Sequence, residues 1–188
     1  GAKYLSTVFR LCVANVASSK LTCAHTKSLA ISEYVAELFP NANLWPQDPL
    51  DRARARAISC EMVSGFPHLR NECSCHLFAR VENFQPSPDA LMDIERVFEI
   101  WSECLERSGG PYLFGPHFGI ADAMYFPVLT RIRTYCVKLP TPQLQTYAEI
   151  VESTPTVIRL MELAKKEPGI AVYDDYIVKL GGDPNKAR

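Results

Sequence analysis

The sequence predicts a mainly α protein: a helical bundle preceded by a short β-hairpin. Three observations carry this expectation. From residue 28 onward, apolar side chains recur at spacings of three and four, the period that lines one face of a helix. Cap and breaker residues bound those stretches: Ser28, Pro40, Gly109, Pro142, Thr154 with Pro155, and Pro168 with Gly169. Ahead of them, "TVFRLCVAN" and "KLTCAHT" are β-rich runs joined by "VASS", which reads as a hairpin. A hairpin alone is marginal in water, so this one must pack on the helices or pair with something else.

The first helix is expected from Ser28 to about Phe39, with Ser28 as its N-cap. Leu29, Ile31, Tyr34, Val35 and Leu38 share one broad face, and Pro40 with Asn41 stops it. A second helix runs from Asp48 or Pro49 to near His76, with Ile58, Met62, Phe66 and Leu69 on its apolar side. The third, about Pro88 to Glu106, has the clearest stripe: Leu91, Ile94, Val97, Phe98, Trp101, Cys104 and Leu105, ended by "SGGP". The fourth begins near Gly119 and contains Pro127, which removes one hydrogen bond and usually kinks a helix. Pro142 to Glu152 forms a fifth, and Thr154 and Pro155 open a sixth that ends near Glu167. The tail to Arg188 has no strong pattern. The expected division is therefore a β-rich unit over 1–27, a connecting helix over 28–39, an all-α domain over 48–177 and a tail over 178–188.

The bulk numbers exclude several function classes. A chain of 188 residues with 47% apolar and 22% charged side chains suits a soluble domain, or one and a fraction. Its 20 basic and 21 acidic residues leave a net charge of −1, so no global field draws in nucleic acid. No apolar run approaches the roughly 20 residues that span a bilayer. Arg52, Arg54 and Arg56 in "DRARARA" alternate on a helix, diverge by about 200°, and so form an ion-paired surface instead of a phosphate site. The start carries Lys3, Arg10, Lys20 and Lys27 and no acid before Glu33, a bias shared with organelle transit peptides and suited to a docking arm.

Seven cysteines, at 12, 23, 60, 73, 75, 104 and 136, form an odd set without the density of a disulfide scaffold. Reduced thiols in a cytoplasm or organelle interior are expected. Cys104 follows Phe98 and Trp101 at helical spacing and reads as a small core hydrophobe. "ECSCH", with Cys73, Cys75 and His76, lacks the second ligand pair of a structural zinc site and reads as a helix end with free thiols; no metal is assigned.

Two stretches carry a family resemblance. "SLAISEYVAELFPNANLWPQDPLDRARARAISCEMVSGFPHLR" and "GGPYLFGPHFGIADAMYFPVLTRIRTY" resemble the glutathione transferase superfamily, near its maleylacetoacetate isomerase and zeta-like members of bacterial type. "TPTVIRLMELAKKEPGIAVYDDY" looks like that family's last helix and tail, so the likeness covers about 28–177. It implies a transferase C-terminal-like helical bundle, with 1–27 a remnant of a thioredoxin-like domain. "FGIADA" has its own physical reading: Gly119 stands at an N-cap and Asp122 at N3, where the carboxylate can reach back to the Gly119 amide. Phe118 and Ala123 take the flanking apolar staple positions. This is a structural cap.

The resemblance also implies where glutathione binds: a catalytic Tyr, Ser or Cys near the first helix of the thioredoxin-like half, a cis-proline, and an acid–serine pair at a helix start. The 27 residues before Ser28 are too few for a βαβ unit and hold no proline, and Lys27 stands where the family has an acid. A lysine there would repel the γ-glutamyl amine. Ser28 is the residual glutathione-site position, and no catalytic residue is assigned. Tyr112, Tyr125 and Tyr135 read as core or wall; Met62, Phe66, Tyr112 and Tyr125 would line the family's second-substrate pocket.

Three functions follow as expectations. The first is a non-catalytic, transferase-derived interaction module, an accessory subunit without cofactor, whose protein partner covers the face left by the missing half. The alternative is a glutathione transferase or isomerase whose site is completed by a partner or a rearranged N-terminus. The third is a binder of small apolar ligands.

Overall fold

Helices build this fold because prolines and short polar caps start them wherever an apolar stripe begins. The computed structural model describes residues 28–186, and the expected hairpin over 1–27 lies outside them. Among the described residues there are eight α-helices: α1 (Ser28–Leu38), α2 (Pro49–Ser64), α3 (Pro67–Glu72), α4 (Pro88–Ser108), α5 (Ile120–Thr134), α6 (Pro142–Ser153), α7 (Pro155–Ala164) and α8 (Ala171–Lys179). A short 3-10 turn, Pro40–Ala42, follows α1. The only β pairing among them is two isolated bridges, Arg80 with Asp183 and Tyr112 with Gly115.

Proline at the first position is pre-set in φ and gives up an amide that would go unpaired anyway. It opens α2, α3, α4, α6 and α7. Side-chain caps take the next amides: Asp48 accepts from Leu50 and Asp51 at 2.9 Å, and Ser87 Oγ from Ala90 at 3.2 Å. Gly109 closes α4 in the left-handed region, φ 74, where a residue without Cβ avoids a steric cost.

The long second helix expected from Asp48 to His76 is instead two helices. Gly65 leaves the helix in an extended conformation, and Phe66 sits left-handed at φ 60. Pro67 is the cause: its ring clashes with the residue before it in an α conformation and it cannot donate. A left-handed non-glycine costs about 1–2 kcal/mol. Burial of the Phe66 ring, 4% exposed, offsets that cost. The first amides of α3, on His68 and Leu69, are taken by Asp93 Oδ2 of α4 at 2.9 and 3.0 Å.

The tail is the second departure. Where the sequence shows no strong pattern, α8 forms, with no side-chain cap of its own. Distant residues hold it: His76 Nε2 meets Asp174 Oδ1 at 2.7 Å, Tyr176 donates to the Glu72 carbonyl at 2.9 Å, and Arg80 and Asp183 exchange backbone bonds at 2.9 Å. His76 Nδ1 faces the amides of Phe78 and Ala79 at 3.2 Å, so Nε2 carries the proton donated to Asp174.

At the centre lies α5, with every residue buried except Ala123 and Arg133, which are half-buried. It packs on α2 and, more lightly, on α6. Around it Trp101 stands edge-on to Tyr125, centroids 6.0 Å apart, and to Tyr147 at 5.3 Å. Arg131, 3% exposed, finds no carboxylate; it donates to the Cys73 carbonyl at the end of α3, 2.7 Å, and to the Pro127 carbonyl, 2.9 Å. The negative end of the α3 dipole and these oxygens hold its charge. Leu91, assigned above to the core stripe of α4, is 42% exposed.

Candidate functional site

Ser28 is already helical at the start of α1, and its carbonyl accepts from Ser32 Oγ at 3.0 Å. Backbone amides in a first turn have no partner within the helix and suit a carboxylate. Ser28 is the one position of the expected glutathione contacts that falls within the described residues. Lys27 lies outside the described residues.

Helix α1 is not packed as its sequence suggests. Of its apolar face, Leu29, Ile31 and Val35 are half-buried, while Tyr34 and Leu38, with Phe39 just beyond, are 38%, 49% and 44% exposed. The helix is fixed instead by one carboxylate. Glu33 accepts a two-pronged pair from Arg56 of α2, at 2.7 and 3.0 Å, and the Trp45 indole N–H at 3.2 Å. Arg56 also lies 5.6 Å from the Trp45 ring centre. The Arg56 guanidinium holds the Glu33 carboxyl below its ordinary range. The other arginines of "DRARARA" have their own partners: Arg54 pairs with Asp51, and Arg52 donates to the carbonyls of Pro46 and Gln47. Nothing local in the sequence points from Arg56 to a glutamate 23 residues away.

The cap is equally specific. Gly119 donates to Asp122 Oδ2 at 2.9 Å, while Oδ1 accepts from the Leu113 amide at 3.0 Å and the Tyr147 hydroxyl at 3.2 Å. Asp122 is 1% exposed, and burial pushes its carboxyl up to about 6, against the pull of these donors. The last two donors, from a loop and from α6, were not legible in "FGIADA". They make the cap a junction of three segments.

Of the four residues expected to line a pocket, three are shut in the core: Met62, Phe66 and Tyr125 are 2%, 4% and 0% exposed. Tyr125 donates to the Ile58 carbonyl at 3.1 Å, and burial raises its hydroxyl well above the usual range. Tyr112 is half-buried, bonded to Thr154 Oγ1 at 2.9 Å and edge-on to Phe118. Tyr135 bonds Ser74 at 2.9 Å. None of the four lines either of two open cavities. One, of about 390 Å³, lies beside the joint and is lined by Trp45, Gln47, Phe114 and His117; the other is a groove of about 850 Å³ along α4.

Among the described residues no three metal-capable side chains converge. Cys73 and Cys75 are buried, and desolvation pushes the Cys73 thiol up to about 12, so Cys73 is no reactive thiolate. Cys104, half-buried against the core, is pushed up to about 11 by the same cause. No described helix is long and apolar enough to cross a membrane.

The likenesses to known proteins agree with this architecture. Residues 53–159 match the family model described as "Glutathione S-transferase, C-terminal domain". A probable maleylacetoacetate isomerase of Caenorhabditis elegans is 31% identical over 134 residues, 71% of this chain and 63% of that protein. The maleylacetoacetate isomerase of Rattus norvegicus is 32% identical over 113 residues, 60% of this chain and 51% of that one. Human glutathione S-transferase omega-2 is 27% identical over 139 residues, 72% and 55% of the two chains. The chain thus spans between half and two thirds of the length of these relatives. The Tau class transferase of mango shares its fold, with a TM-score of 0.54 and 21% identity over 86% of this chain and 92% of that one. With half the chain matched by the family model and a helical bundle to go with it, this chain belongs to the glutathione S-transferase family, through that family's C-terminal helical domain.

Proposed function

We propose that this chain supplies the helical half of a glutathione-dependent transferase or isomerase, its glutathione site completed by a thioredoxin-like unit outside the described residues. The observation that carries this reading is the likeness to maleylacetoacetate isomerases, at 31% and 32% identity. It outweighs the expectation of a non-catalytic module, which rested on the make-up of residues 1–27, without a proline and with Lys27 in place of an acid. In this reading the Ser28 hydroxyl and first-turn amides bind the γ-glutamyl end of glutathione, and the Glu33–Arg56–Trp45 joint sets the angle of α1 against the bundle. Glutathione supplies the nucleophilic thiol. The described residues bind and orient and hold no catalytic acid or base.

A chimera with the N-terminal half of the rat relative placed before Ser28 tests it. Glutathione-dependent isomerisation of maleylacetoacetate is expected, with KM for glutathione raised by Ser28→Ala. A folded chimera that neither binds glutathione nor turns over would sink the catalytic reading.

The interaction-module reading keeps one observation in its favour, the exposed apolar side chains Tyr34, Leu38 and Phe39 on and beside α1. A thioredoxin-like half or a separate protein would cover them equally. Micromolar binding of reduced glutathione to the unmodified chain, titrated beside Lys27→Glu, would count against the module. No heat from either chain, together with a folded chimera that neither binds glutathione nor turns over, favours it.

A further inference from the structure

We infer that the groove along α4 is a docking site for a basic amphipathic helix of another protein, a surface to which Ser28 and the rest of α1 contribute no lining residue. Its floor is apolar: Phe84 stands edge-on to Tyr135, centroids 4.7 Å apart, and Phe98 and Val137 are half-buried beside them. Leu91, 42% exposed, marks one end. At about 850 Å³ the groove is open along its length, and the 135–140 loop forms its far wall.

The near wall is charged. Glu95, Glu99, Glu103 and Glu106 all line the groove, at spacings of 4, 4 and 3 that place them in one row along α4. All four are exposed. Like charges four residues apart destabilise a helix by a few tenths of a kcal/mol per pair, so this row works against α4 itself. Arg96 reaches only Glu99, at 3.3 Å, and shares itself with Glu61. Glu95, Glu103 and Glu106 have no ion pair among the described residues. Among the described residues the one cation lining the groove is Lys138, on the far wall.

An apolar floor beside a carboxylate row of which only Glu99 is paired among the described residues is complementary to one kind of surface: a helix with an apolar stripe flanked by Lys or Arg every three or four residues. The row spans about 16 Å at 1.5 Å per residue, so the partner helix needs about three turns. The chain's net charge of −1 means that this attraction is local to the groove.

The probe is a synthetic peptide of about 14 residues, with leucine and lysine at helical spacing. It is titrated into the full chain by fluorescence anisotropy. Saturable one-to-one binding is expected, weakened at least tenfold by Glu95→Lys with Glu103→Lys and less by the matching glutamine pair. Amide shifts should concentrate on Phe84, Phe98 and Val137. A control reversal on distant exposed glutamates, Glu149→Lys with Glu162→Lys, should leave affinity unchanged. Equal loss in that control, no effect of the groove reversal, or no binding overturns the assignment. Thermal melts of every variant keep misfolding from imitating lost affinity.

Discussion

Asp122→Asn isolates what a carboxylate costs at the junction of three segments. Burial raises its pKa from 3.8 to about 6. Below pH 3.8 the carboxyl is protonated both folded and unfolded, and its linkage contribution to stability is fully present. As pH rises, the unfolded chain releases the proton first and the folded chain holds it until about pH 6. Stability contributed by this group therefore falls across pH 4–6 and stays low above. At about 1.36 kcal/mol per unit, the loss is about 3 kcal/mol. Urea unfolding of wild type and variant at intervals from pH 4 to 7 gives the difference, in which every other titrating group cancels. Wild type is expected to lose about 2.4 kcal/mol against the variant over that span, the rest of the loss falling below pH 4. A flat difference would refute the reasoning. So would the opposite slope, since the Gly119, Leu113 and Tyr147 donors would then hold the carboxyl below its ordinary value.

Removing the joint by Glu33→Gln with Arg56→Ala should show a coupling of about 0.5–1 kcal/mol in a double-mutant cycle, falling with added salt, because both side chains are partly solvated. His76→Ala should cost about 1–3 kcal/mol and expose α8 to limited proteolysis, since the Phe78 and Ala79 amides and Asp174 lose a buried partner together. Trp101→Ala, at a side chain with no exposure and three aromatic neighbours, should cost about 3–5 kcal/mol in urea melts.

By itself, the sequence determined where most helices start and what kind of bundle they make. Pro88 after Ser87, Pro142 after Thr141 and Gly109 after α4 act through their own backbone and nearest neighbours, so reading them needs no distant residue. The stripe through Ile94, Val97, Trp101 and Leu105 is local in the same sense, and all four are buried. Only the tertiary structure decided the rest. Pro67 keeps Phe66 out of the α conformation, but the left-handed turn taken there depends on a place in the core for the Phe66 ring. Helix α8 has little apolar periodicity, and its clasps to His76 and Glu72 cross 98 and 104 residues of sequence. Met62, Phe66 and Tyr125 have the composition of a pocket wall and of a core wall alike. What separates the two is whether another surface lies against them, and that is a property of packing, which spacing along one chain does not carry.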